Sequence, residues 1–97
     1  MQPLETTFDL GNYRHTQLYR EGMWAIYEQR HKEADVMRYE VIRIRIAPEK
    51  VWPNGSVTPE REAYPGSSVW GRDGWTCFTR QEADTLLARE QRRTDIS

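Results

Sequence analysis

Lysine is scarce in this chain: Lys32 and Lys50 stand against 12 arginines. Chemistry that depends on a phosphate-binding or Schiff-base lysine therefore has little to draw on. Cysteine is scarcer still. Cys77 is alone, so no intrachain disulfide can form and no cysteine cluster can hold zinc. An intracellular, cytoplasmic setting is the expectation. Long apolar runs are missing too, and nothing approaches the roughly 18 residues that span a bilayer. Residues Met1 to Leu10 carry no basic residue and no apolar stretch, and so are not expected to act as a signal peptide. Net charge is nearly absent: 14 basic and 15 acidic residues leave −1. That leaves neither the strongly basic footprint of a nucleic-acid binder nor the heavy acidity of a DNA mimic.

Aliphatic residues are few as well. Leu, Ile, Val and Phe together number 17 of 97. Such poverty signals disorder only when joined to high net charge, which this chain lacks. Four Trp and five Tyr supply the missing area, because each ring buries more surface than an aliphatic side chain. The expectation is one folded domain over 1–97 with an aromatic-weighted core.

Residues 1–12, with Pro3, Gly11 and Asn12, read as a loosely attached arm that Leu4, Phe8 and Leu10 can dock. Tyr13–Arg20 and Met23–Arg30 flank Glu21-Gly22 and read as a β-hairpin. Tyr13, Tyr19, Trp24 and Ile26 are expected on one face, with Leu18, Ala25 and Tyr27 on the other. His31–Asp35 is a turn. Val36–Ile46 is the clearest strand: Ile42, Ile44 and Ile46 share one face, while Tyr39, Val41, Arg43 and Arg45 share the other. Ala47–Pro59 holds three prolines and Asn54-Gly55 and reads as a loop or long hairpin tip. Glu60–Tyr64 is a short strand pairing antiparallel with the isoleucine strand. In Trp70-Gly71-Arg72-Asp73-Gly74-Trp75 the glycines allow a compact turn that brings two indoles together. Thr79 and Glu82 form a capping-box pattern ahead of a helix over 80 to about 92, with Ala83, Leu86 and Leu87 as its apolar stripe. The expected fold is α+β, with strands over 13–78 and a helical unit over 79–93. Four to five antiparallel strands make a small sheet, and the C-terminal helix packs on one face.

No arrangement of reactive residues stands out, and no catalytic, cofactor or metal residue is assigned. Cys77 with His15 or His31 lacks a nucleophile-elbow context and reads as a small buried thiol. Glu28, His31, Glu33 and Asp35 read as a solvated turn rather than a metal site. Gly71 and Gly74 lack the following Lys-Ser/Thr of a P-loop. Glu40 with Arg43, and Asp73 with Arg72, set acids beside bases without the acidic cluster of a nuclease. Two features point to a partner. Tyr39, Arg43 and Arg45 form an Arg and aromatic sheet face suited to bases or phosphates, unless Glu60 or Glu62 pairs with the arginines. Trp52 lies in the proline-rich loop, where exposure would mark recognition of a protein and burial would cap the core.

Tyr39-Glu40-Val41-Ile42-Arg43-Ile44, then Glu62-Ala63-Tyr64-Pro65, then Trp70-Gly71 to Gly74-Trp75-Thr76, followed by Thr79 and Ala83, resembles a pattern in short uncharacterised proteins of phages and integrated elements. The resemblance implies a small accessory protein, of the kind that includes inhibitors of host defence such as anti-CRISPRs, and assigns no residue a role. The expectation is a non-enzymatic protein-binding module using Tyr39, Arg43, Arg45 and Trp52. The alternatives are a single-stranded nucleic-acid binder on the Arg face and a structural homo-oligomer, a dimer in its simplest form. No membrane association and no cofactor is expected.

Overall fold

A computed structural model describes residues 1–96. Its centre is a five-stranded antiparallel sheet in the order β1-β2-β3-β4-β9, with α1 packed on one face. The strands are β1 (Thr7–Leu10), β2 (Tyr13–Glu21), β3 (Trp24–His31), β4 (Met37–Arg43) and β9 (Gly74–Cys77), and α1 is Arg80–Ile96. Between β4 and β9 the chain makes two small ribbons. One pairs β5 (Arg45–Ala47) with β8 (Arg61–Ala63), and the other pairs β6 (Lys50–Val51) with β7 (Val57–Thr58). The α+β architecture is thus the one read from the sequence.

The β2–β3 hairpin turns on Gly22-Met23, one residue later than the dipeptide expected from sequence, with Glu21 opposite Trp24. Gly22 has φ +58°, the left-handed value that a two-residue hairpin turn requires at its first position. The hairpin faces differ from the simple alternation. Gln17 pairs with Tyr27 but Tyr19 pairs with Ile26, so Leu18 is an extra residue, a β-bulge. The bulge reverses the pleat. Tyr13 shares a face with Ala25 and Tyr27, whereas Tyr19 lies with Trp24 and Ile26.

Residues 36–46 are not one strand. The main sheet stops at Arg43, where β3 begins opposite it, and Ile44 makes the last contact by donating its N–H to Met23 O at 2.6 Å. With no further neighbour in the main sheet, the chain leaves it and pairs β5 with β8, the antiparallel partner expected for the isoleucine strand. Ile42 and Ile44 are buried, but Ile46, beyond the break, is exposed.

The two sheet faces build two cores. On one, Ile26, Val41 and Cys77 meet Ala83 and Leu87 of α1, with Trp24, Tyr39, Trp75 and Leu86 at the margin. Thr79 Oγ1 accepts the Glu82 N–H at 3.1 Å, which seals the helix start. The helix continues to Ile96, past the residues expected to close it. On the other face, Ala25, Tyr27, Ile42 and Ile44 are covered by Leu4, Phe8, Met23, Tyr64 and Trp70. The first residues are therefore more than a loose arm. β1 extends the sheet, Phe8 packs into the second core, and the Tyr27 hydroxyl donates to Glu5 O at 2.7 Å. Glu62 accepts the Leu4 N–H at 2.8 Å and two N–H groups of Arg20 at 2.7 and 2.6 Å, tying arm, ribbon and hairpin together.

The two tryptophans of the glycine turn do not meet. Gly71 takes φ +91° and reverses the chain, and Trp70 then lies over Gly74 on the second face. Trp75 points to the helix face and stacks on Trp24, with centroids 6.3 Å apart and planes at 21°. A strand places successive side chains on opposite faces, and Trp75 directly follows the glycine that Trp70 covers.

Candidate functional site

The four residues expected to contact a partner occupy three places. Tyr39 is half-buried beside Val41 under α1, so that face of β4 is core. Arg43 is exposed at its end, with its guanidinium 5.6 Å from the Trp24 ring. Arg45 lies in β5 and pairs with Asp73 at 2.8 Å. The strand break at Ile44 and the helix together dissolve the continuous Arg and aromatic face. Glu62, weighed as a partner for these arginines, instead holds Arg20. The Arg20 guanidinium, and next the Leu4 N–H, lower the Glu62 carboxyl to about 2.

Trp52 is exposed. It follows β6, where Val51 and, in β7, Val57 are also exposed, and none of the three belongs to either buried cluster. The indole is nonetheless held. Its Nε1 donates to Thr58 Oγ1 at 2.8 Å, and Lys50 Nζ sits 3.9 Å from the ring centroid. Hydrogen bonds from Trp52 N–H to Ser56 O and from Gly55 N–H to Trp52 O close the tip. The result is a small apolar ribbon with an aromatic anchor fixed on the outside of the protein.

The reactive side chains weighed from sequence are kept apart. Cys77 lies in the helix-side core and His15 on the opposite face, so they cannot form a nucleophile and base pair. Burial pushes the Cys77 thiol up. The His31 Nδ1 accepts the N–H groups of Glu33 and Ala34 at 3.1 and 2.9 Å, so the ring closes its own turn. Glu40 and Arg43 point to opposite faces, and Asp73 is shared by Arg45 and Arg72.

A second feature escaped the sequence reading. The second face carries a cleft of about 430 Å³, with a polar floor of His15, Gln29 and Glu40 and walls of Leu10, Tyr64, Pro65 and Trp70. His15 is 1% exposed and its ring stacks on Phe8 at 4.7 Å. The Tyr64 hydroxyl donates to Glu40 Oε1 at 2.5 Å, and His15 Nε2 lies 3.4 Å from the same oxygen. Burial, and then the Glu40 charge, raise the Tyr64 phenol far above its ordinary value, so it stays a donor. Gln29 Nε2 is 3.3 Å from His15 Nε2, while Gln29 Oε1 accepts Arg38 Nε at 2.8 Å. The signal for this cluster was present: Glu40 has the same strand parity as Ile42 and Ile44, a charge on an apolar face. His15 could not be placed beside it, because the bulge at Leu18 hides the face that Tyr13–Gln17 take.

Comparison with models of known protein families, with curated proteins and with solved structures returned no match in any of the three. No helix among the described residues is long and apolar enough to cross a membrane.

Proposed function

We propose that this chain is a non-enzymatic protein-binding module of a bacterium or its mobile DNA, acting in the cytoplasm through the Lys50–Thr58 ribbon. The observation that carries the reading is Trp52, which is exposed and yet fixed by Thr58 and Lys50. Tryptophan is enriched among residues that dominate binding energy, and a ring already held in place loses little freedom on docking. Val51 and Val57 beside it extend the apolar contact. Inhibition of a host defence protein is one role that such a surface suits, and the resemblance to short phage proteins favours it. The nucleic-acid alternative loses support, because Tyr39 lies under the helix and Arg45 is paired.

Pull-down from a bacterial lysate compares wild type with Trp52→Ala. The expected outcome is a protein retained by wild type and lost by a Trp52→Ala variant of unchanged thermal stability. Identical retention by both proteins would remove the ribbon from the function. Light scattering across protein concentrations separates a foreign partner from a second copy of this chain, since self-association through the ribbon raises the mass of wild type alone.

A further inference from the structure

We infer that the cleft over Glu40 is a binding site for an organic cation, a primary alkylammonium or a guanidinium. The floor of the cleft contains hydrogen bonds that it cannot complete by itself. Arg38 holds Gln29 Oε1, which turns the Gln29 amide N–H toward His15 Nε2. The same Nε2 faces Glu40 Oε1. One ring nitrogen cannot accept from the amide and donate to the carboxylate together. With the amide bond made, the neutral ring carries its proton on Nδ1, and Nδ1 is buried without a partner. Glu40 then has the Tyr64 hydroxyl as its one donor.

Buried carboxylates are ordinarily matched by a cation. Among the described residues no lysine or arginine pairs with Glu40, and Oε2 receives no hydrogen bond. Glu40 is only 7% exposed, yet it lines the cleft. Within the chain only a protonated His15 could match Glu40, and its Nε2 would then give up the Gln29 amide bond; a cation entering the cleft matches the carboxylate and leaves that bond in place. The walls specify its kind. Trp70 and Tyr64 offer rings that attract a cation, and Leu10 and Pro65 offer contact to an alkyl stem. A metal ion is a poor match, because among the described residues no three His, Cys, Asp or Glu side chains converge. An anion would meet the Glu40 charge. Of the basic groups on the same face, Arg38 is held by Gln29 and by the Tyr13 ring, 4.6 Å from its guanidinium, and Arg20 is held by Glu62.

The test is a titration of the isotope-labelled protein with n-butylammonium, followed at the Trp70 indole N–H and the Gly66 and Ser67 amides. Saturable shifts are expected below about 50 mM, with n-butanol at least about tenfold weaker and butyrate inactive. Glu40→Gln keeps an acceptor for Tyr64 and should weaken the ammonium by about tenfold or more. Should that variant fail to fold, Leu10→Lys supplies a folded alternative. It sets an ammonium at an exposed rim position and should abolish the titration. Trp52→Ala should bind like wild type, which separates this site from the ribbon. A capped lysine peptide that binds more tightly than n-butylammonium identifies a protein side chain as the occupant, whereas binding of the free amine alone identifies a small metabolite. Equal responses to ammonium, alcohol and carboxylate, or undiminished binding by folded Glu40→Gln or Leu10→Lys, would overturn the assignment.

Discussion

Gly74→Ala is the substitution with the sharpest consequence. A Cβ built on Gly74 falls within the van der Waals envelope of Trp70 Cζ3, Cε3 and Cη2, well inside the roughly 3.5–4.0 Å of an ordinary carbon contact. The backbone is not the obstacle, because Gly74 is not among the glycines with positive φ. Two forms of relief exist. The strand can shift and keep the ring, at the roughly 1–3 kcal/mol typical of overpacking. Alternatively the ring can leave, which costs about what Trp70→Ala would. That figure is about 3–5 kcal/mol for a fully buried Trp and less for this half-buried one. The cheaper route sets the loss, about 1–3 kcal/mol. For a domain of 97 residues this lowers Tm by roughly 4–24 °C. Urea and thermal unfolding of the single variants and the double variant measure it. In a Trp70→Ala background the added methyl has room, so Gly74→Ala should cost nothing, or gain about 0.4–1 kcal/mol through the unfolded chain. The coupling between the two positions is therefore the quantity at issue. A Gly74→Ala protein as stable as wild type, or one equally destabilised with and without Trp70, would refute the stacking of Trp70 on Gly74.

Trp75→Ala should cost about 2–4 kcal/mol in urea unfolding, because the half-buried ring stacks on Trp24 and closes the helix-side core; an unchanged midpoint would mean that the ring does not pack there. The Glu62 carboxyl, lowered from 4.5 to about 2 by Arg20 and the Leu4 N–H, contributes stability that is complete above about pH 4.5 and is lost as pH falls toward 2. Urea midpoints measured across that window should fall less steeply for Glu62→Gln than for wild type, and parallel curves would show that Glu62 is not the titrating contact.

Much of the architecture was legible along the chain. The β2–β3 hairpin announced itself by Gly22 between two aromatic runs, and the helix by Thr79, Glu82 and the 83, 86, 87 stripe. The candidate sites were less legible. Tyr39, Arg43 and Arg45 share strand parity, yet parity carries meaning only while one strand keeps one neighbour. At Ile44 the neighbour changes, and Arg45 goes to another sheet. Trp52 was identified as a candidate, but whether it capped the core or faced out depended on contacts far away in the chain.

The sequence by itself determined the class of fold, because turn chemistry, hydrophobic period and helix capping act over a few residues. It also narrowed the chemistry: a single cysteine, two lysines and balanced charge leave few reactive combinations. Tertiary structure alone decided which polar groups meet. One extra residue at Leu18 turns His15 onto the face of Glu40, and the 64–70 segment then brings Tyr64 and Trp70 over both. Local preferences cannot encode such a meeting. It depends on strand register and on loop return, which are set by the packing of the whole chain.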